Sequence, residues 1–498
     1  MKTIDESTKQ RFTSRIGLLL SALGVAVGTG NIWRFPRIAA QEGGESGSGA
    51  FLIAWAVFLF MWSIPLIIAE YSLGRKHRMG VIGVFTKAMG KKFGWVGAFV
   101  AFVTIAIAGY YAVIVGWTIY YLFKTATAPL PMSTEESFVV WDALQNSGEV
   151  YLVHILALLI ATFVIWKGIR SIELANKVLI PSLLLIVLIS VIRAVTLPGA
   201  SEGIAHLFHV DLSQLRSPQL WLAALTQNAW DTGAGWGLFL TYAAYMKMEH
   251  GAVKNAFITA IGNNTVSILA GIMVFGTVFA ILGQELNMSK PEVIDIMQSS
   301  GPASTGLTLI WMPQLFARMF LGRPLAILFF TGLLFAALTS LIAMIELATR
   351  LFVDFGLKRK HAVLIIVPVI YLIGLPSARN VDFLSNQDFV WGIGLMISGS
   401  LVAWAVMKSG VRNIRAELNA GPADWHLKRW WELVIRFFIP FATISLLIWW
   451  FYLAATVFAK GDWYNPLNPY SIMTCICQWA IMVIIFVILN KRIVKSLV

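Results

Sequence analysis

Apolar runs of about 20 residues recur along the whole 498-residue chain, and that is the length at which a helix crosses a bilayer. Lipid offers a bare peptide group no partner, so such runs must satisfy their backbone internally as helices. Outer-membrane barrel strands are short and alternate apolar with polar residues, a pattern absent here. With 58% hydrophobic and only 13% charged residues, the chain has too little charge to cover a soluble domain of this size. The runs predict an all-α polytopic membrane protein of twelve transmembrane helices, near 16–40, 48–72, 95–123, 151–167, 178–197, 218–245, 254–283, 325–354, 361–376, 388–408, 431–457 and 468–490. The first run follows Lys9, Arg11 and Arg15 as a signal peptide would. It continues through Gly30 to Phe35, and eleven more spans come after it, so it reads as an uncleaved helix.

The net charge of +13 is distributed by loop. Arg75, Lys76, Arg78, Lys87, Lys91 and Lys92 lie between spans 2 and 3, and Lys358, Arg359 and Lys360 between 8 and 9. Arg412, Arg415, Lys428 and Arg429 lie between 10 and 11, and Lys491, Arg492 and Lys495 follow span 12. Alternate loops hold Glu135, Glu136, Asp142 and Glu149, then Glu285, Glu292 and Asp295. The positive-inside rule then places both termini in the cytoplasm, which an even number of spans requires. Basic residues dispersed in this way argue against nucleic-acid binding. Cys475 and Cys477 stand two apart in span 12 and point to nearly opposite sides of it, so a mutual disulfide is not expected. The seven histidines and two cysteines show no metal-ligand or nucleophile spacing.

Two spans carry unusual glycine runs. Span 1 contains Gly24-Val25-Ala26-Val27-Gly28-Thr29-Gly30-Asn31, and span 6 contains Asp231-Thr232-Gly233-Ala234-Gly235-Trp236-Gly237. Glycine is common at helix packing faces in membranes. Clustered glycines beside Asn31 or Asp231 point instead to backbone that leaves the helix, which is tolerated only where it lines a cavity or is satisfied by bound ions. The two breaks are five spans apart, as in an inverted repeat of spans 1–5 and 6–10 whose central site lies at the broken helices.

Gly28-Thr29-Gly30-Asn31-Ile32-Trp33-Arg34-Phe35-Pro36 resembles the first-helix signature of the neurotransmitter:sodium symporter family. The likeness continues in Gly49-Ala50-Phe51, Ile64-Pro65-Leu66, Glu70, Gly74-Arg75, Tyr110-Tyr111, Thr241-Tyr242-Ala243 and Ala336-Ala337-Leu338-Thr339-Ser340, in order along the chain. It implies a bacterial-type amino acid transporter with the LeuT-like fold: a 5+5 inverted repeat with broken helices 1 and 6, plus two C-terminal helices. The corresponding division is a cytoplasmic segment 1–15, a first repeat 16–215, a second repeat 216–410, and a unit 411–498 with helices 11 and 12 and a short basic tail.

The resemblance also implies coupled uptake of a small solute with one or two sodium ions, hard cations that take oxygen ligands. A second sodium site would use the carbonyls of Gly24, Val27 and Ala336 and the hydroxyls of Thr339 and Ser340. The first would use the Ala26 carbonyl, Asn31, Asn263 and position 231, where Asp231 replaces the family's Ser or Thr. Chloride-dependent relatives bind an anion beside this sodium; the aligned places here are Trp55, Gln227, Asp231 and Ser267. An intramembrane carboxylate is costly and reads as functional, so Asp231 is expected to supply the counter-charge and make chloride unnecessary.

Freed N–H groups and a half-helix end suit a carboxylate, and the resemblance places one at Ala26, Thr29, Gly30 and the Tyr111 hydroxyl. Gly28 stands where monoamine carriers of the family have an aspartate, which favours a zwitterion such as an amino acid. Its side chain would face Ile107, Trp230, Gly233, Trp236, Ser340 and Met344; two tryptophans also admit a cage for a methylated amine or osmolyte. Arg34 and Asp388 would form the outer gate. Asp354, supported by Tyr245, would form the inner one with Lys9 by strict counting or with Arg11 as the rival. Glu70 and Glu346 read as structural hydrogen-bonding groups. The expected setting is the plasma membrane, or the inner membrane of a bacterium, with the chain a monomer or homodimer.

A transport-fold sensor would share the pocket without coupled cycling. A membrane enzyme would need a nucleophile, metal cluster or carboxylate dyad, and a primary pump a P-loop; none is visible, so the energy source is a gradient.

Overall fold

In the computed structural model, residues 10–299, 305–421 and 424–497 are described, and among them all regular structure is helical. Among the described residues, nine helices are long and apolar enough to cross a membrane: Gly49–His77, Lys91–Thr127, Ile169–Val195, Ala252–Glu285, Gly322–Asp354, Arg359–Arg379, Val381–Lys408, Trp430–Phe458 and Ile472–Lys495. These are spans 2, 3, 5, 7, 8, 9, 10, 11 and 12. Two bent pairs supply two more: Arg15–Ala26 with Gly30–Ser46 as span 1, and Thr134–Gln145 with Glu149–Ile165, of which the second helix is span 4. Span 6 is in two short pieces, Pro218–Thr232 and Leu238–Ala243, neither of which crosses a bilayer alone.

The breaks fall where the glycines stand. Span 1 starts at the cap Ser14, whose hydroxyl accepts the Gly17 N–H at 3.0 Å. It stops at Val27, whose backbone is extended, and resumes at Gly30 after a bend of 51°. Span 6 stops at Gly233 and restarts after Gly237; Gly233, Gly235 and Gly237 have φ of 66°, 88° and 82°. Only glycine takes that left-handed backbone without a Cβ penalty, so the run in the sequence is a requirement of the break.

Span 3 crosses the middle of the bundle, with 89% of its apolar window buried against protein, whereas only 11% of span 12 is covered. Span 2 lies along both halves of span 6. The Asn228 amide donates to the Trp55 carbonyl at 3.0 Å and the Thr232 hydroxyl to Ser63 Oγ at 2.8 Å on one half. On the other, the Glu70 carboxylate accepts the N–H groups of Gly235 (2.6 Å), Gly237 (3.3 Å) and Leu240 (2.9 Å). Glu70 thus takes up donors that the broken backbone leaves unpaired at membrane depth, where each would otherwise cost several kcal/mol.

Span 5 begins at Ile169, earlier than the expected 178, and the charges this adds to it are satisfied by its neighbours. Glu173 is buried; it pairs with Lys177 at 2.8 Å and accepts the Thr13 N–H at 2.7 Å and the Ser14 hydroxyl at 3.2 Å. Cys475 and Cys477 are both free thiols.

Candidate functional site

The ends of the four half-spans meet around a small hollow closed by spans 3 and 8. Its wall holds Ala26, Gly28, Thr29, Gly30, Tyr111, Trp230, Gly233, Trp236, Ser340 and Met344, together with Asn31 and Asp231. Val25 and Leu238 also reach it; each stands where a half-helix ends and the turning backbone brings the neighbouring side chain round to the hollow. Ile107 is fully buried but does not reach the wall. The free space is about 30 Å³, about two or three water positions. The indoles of Trp230 and Trp236 narrow it, packed on each other at 5.2 Å between ring centroids.

At one end, the Thr29 N–H and hydroxyl donate to Tyr111 Oη at 3.4 and 3.2 Å. A Cβ on Gly28 would lie 2.9 Å from Ser340 Oγ and 3.3 Å from Tyr111 Oη, so this wall takes only a hydrogen atom without a shift.

Beside it, oxygens converge. Asn31 Oδ1 accepts the Gly28 N–H at 2.8 Å, while Asn31 Nδ2 donates to Asn263 Oδ1 at 2.9 Å and to Ser267 Oγ at 2.8 Å. One end of the Asn263 amide lies 3.1 Å from the Ala26 carbonyl oxygen and 3.2 Å from that of Asp231. The Asn263 N–H turned this way, or a cation in its place, would satisfy these two carbonyls, and of the groups around them only the Asp231 side chain is ionisable. This donor set fits a hard monovalent ion. The carboxylate of Asp231 is buried; it accepts Gln227 Nε2 at 2.6 Å and Ser267 Oγ at 3.3 Å, and a Cβ on Gly30 would be 3.0 Å from its Oδ1. Gln227, Asp231 and Ser267 therefore form one hydrogen-bonded group. Trp55 stands apart from it: its ring packs on Phe35 at 4.7 Å and its indole N–H makes no hydrogen bond among the described residues.

A second oxygen-rich point lies where the first half of span 1 meets span 8. Thr339 Oγ1 and Ser340 Oγ both donate to the Ala336 carbonyl, at 3.0 and 3.4 Å. A Cβ on Gly24 would be 3.2 Å from Thr339 Cβ. Gly24 and Val27 lie in the last turn and cap of this half-span, where helix-end carbonyls have no partner within their own helix. No group of three or more His, Cys, Asp or Glu side chains able to hold a metal occurs among the described residues.

The proposed gate residues are engaged otherwise than the alignment suggests. None of the ion pairs among the described residues joins Arg34 to Asp388: the Arg34 guanidinium sits 5.1 Å from the Trp230 ring centroid, and Asp388 accepts the Tyr110 hydroxyl at 3.1 Å. Cation–π stacking holds Arg34 on the indole face in place of the acid, and that face is then not open to a methylated amine. Asp354 pairs with Arg350, one helical turn back, at 2.9 Å and accepts the Gly80 N–H at 2.5 Å. The Arg350 side chain is also 5.2 Å from the Tyr245 ring centroid, and the Tyr245 hydroxyl donates to Glu346 at 2.7 Å. Arg11 donates to the Gln10 carbonyl at 2.8 Å; Lys9 lies outside the described residues. The Arg350…Asp354 spacing of four was a signal available in the sequence, since such pairs face each other on a helix. Glu346 is bound by Arg359, which also donates to the Ile165 carbonyl.

With this geometry in place, comparison with known proteins is informative. The family model described as "Sodium:neurotransmitter symporter family" matches residues 9–146 and 137–495. An uncharacterized sodium-dependent transporter of Methanocaldococcus jannaschii is 29% identical over 90% of this chain and 88% of its own length. The sodium-dependent serotonin transporter of Drosophila melanogaster is 30% identical over 79% of this chain and 68% of its own. Among solved structures, MhsT in complex with L-phenylalanine superposes with a TM-score of 0.76 at 28% identity, covering 88% of this chain and 99% of that one.

Proposed function

For a chain that belongs to the sodium:neurotransmitter symporter family, we propose sodium-coupled import of an amino acid or amino-acid-like zwitterion by alternating access, without a requirement for chloride. The observation that supports this reading is the approach of the Ala26 and Asp231 carbonyl oxygens to the Asn263 amide, beside Asn31 and the broken backbone of span 1. One or two sodium ions would bind there and at the Gly24–Val27–Ala336–Thr339–Ser340 point. The substrate carboxylate would take the Thr29 and Gly30 N–H groups and the Tyr111 hydroxyl, and share the first sodium with Asp231. The narrow hollow between two indoles suits a small side chain. Both termini would be cytoplasmic in a plasma membrane, with the two repeats spanning 16–215 and 216–410, and the gates worked by Arg34 with Asp388 and by Asp354 with its partners.

A cationic amine is the second reading, favoured by the Asp231 carboxylate on the cavity wall. One screen separates them: thermal stability of purified protein with amino acids, amines and osmolytes, each in sodium and in potassium. The proposal expects one small zwitterion to stabilise the protein only when sodium is present. Stabilisation by an amine lacking a carboxylate, or by any solute equally in potassium, would overturn it.

A further inference from the structure

Span 5 brings an asparagine to the second oxygen-rich point. Asn176 is 1% exposed, and neither Oδ1 nor Nδ2 has a hydrogen-bond partner among the described residues. Its position is fixed by its neighbours: a Cβ on Gly24 would lie 3.0 Å from Asn176 Oδ1 and 3.2 Å from Thr339 Cβ. The amide oxygen, the Gly24 backbone and Thr339 thus meet in one small space. Gly17, Ser21 and Gly24 share a face of span 1, at the i, i+4, i+7 spacing of one helical stripe. Gly17 and Gly24 on that stripe abut Glu173 and Asn176 of span 5. Ser21, between them, is fully buried and its hydroxyl is also without a partner. Buried polar atoms in folded proteins are satisfied by protein, water or an ion, and here the protein satisfies none of the three. Glu173 is different: its oxygens are taken by Thr13, Ser14 and Lys177.

We infer that the Asn176 amide oxygen is a ligand of the cation held at the second site, reaching it from span 5 across the seam with span 1. The inference rests on the reading of this chain as a sodium-coupled carrier. It adds to the site a side chain from a helix that contributes nothing to the hollow where solute binds. Parting of spans 1 and 5 then strips an oxygen from the ion, so opening of this seam and loss of the ion become one event. Ser21 lines the same seam and would hand the ion's water along it.

The test is the sodium concentration giving half-maximal thermal stabilisation of purified protein, with potassium keeping ionic strength constant. The melting temperature in potassium alone reads any merely structural role. Asn176→Ala is expected to raise the half-saturating sodium concentration by about tenfold, the lower end of losses on removing a group that supports a metal. Asn176→Asp, of the same shape and with a charged oxygen, is expected to bring it below the wild-type value. Half-saturation unchanged in Asn176→Ala overturns the inference while leaving the transporter reading intact, and so does an unchanged or raised value in Asn176→Asp, which keeps the test available if the alanine variant does not fold. A wild-type protein that sodium does not stabilise more than potassium overturns both.

Discussion

Replacing Asp231 with asparagine tests the charge logic of the first cation site most directly. The substitution keeps the shape and retains an oxygen for Gln227, which now donates at 2.6 Å. Ser267 Oγ bridges the site, 2.8 Å from Asn31 Nδ2 and 3.3 Å from the carboxylate. Taking a separation of about 4 Å between a cation at Ala26, Asn31 and Asn263 and the negative charge, attraction amounts to ~4 kcal/mol at an effective dielectric of about 20. Removal of the charge also removes the cost of keeping a carboxylate out of water. With roughly half of the attraction offset in this way, the net loss is about 2 kcal/mol, or about a 30-fold rise in the half-saturating sodium concentration. The assay is thermal stabilisation titrated with sodium chloride and, separately, sodium gluconate. The wild-type curves should coincide in the two salts. The Asp231→Asn curve should shift to higher sodium and respond to chloride, since an anion can then take the place of the lost charge. Wild-type stabilisation that vanishes in gluconate, or a variant with unaltered sodium dependence, would refute the reasoning.

Three further outcomes follow from the geometry. Glu70→Ala leaves the N–H groups of Gly235, Gly237 and Leu240 without their acceptor, a loss of at least about 3 kcal/mol that should appear as a lower melting temperature and poor yield, with Glu70→Gln milder. Arg350→Leu strands Asp354, whose side chain is 4% exposed, and should cost about 3–5 kcal/mol, most of which the double change Arg350→Leu/Asp354→Leu should restore; denaturation in detergent reads both. Gly28→Ala places a methyl 2.9 Å from Ser340 Oγ, so solute-dependent stabilisation should weaken while the melting temperature in the absence of solute stays near wild type.

Much of the fold was legible because membrane burial leaves a coarse mark: apolar length gives the spans, and glycine clusters give the breaks. The hydrogen bonds at Gly28, Asn31 and Asn263 join residues that the resemblance already assigns to the site. Other features were hidden for identifiable reasons. The early start of span 5 was masked because Glu173 and Lys177 look foreign to a membrane helix until Thr13 and Ser14 are seen to satisfy the acid. Val25 and Leu238 carry no mark that distinguishes them from packing residues, since only the course of the broken backbone turns them inward. The Arg350–Asp354 pair was readable from spacing alone, although the family resemblance points to a partner for the acid near the N-terminus. The stacking of Arg34 on Trp230 joins residues far apart in the chain, and no periodicity shows that.

The two interruptions are not mechanically alike. Span 2 is fastened to span 6 on either side of its gap, by Trp55 and Ser63 above it in the chain and by Glu70 below. It acts as a splint, and a splinted fracture transmits force without hinging. Span 1 is held more loosely: its second half is tied to span 7 through Asn31, Asn263 and Ser267, its first half reaches span 7 only by the 3.4 Å bond from Arg15 to Asn255 among the described side-chain hydrogen bonds, and its gap is crossed within the chain by the Gly28–Asn31 contact. Any swing that exposes the centre to one side should therefore pivot at residues 27–30, while spans 2 and 6 turn together as a single lever.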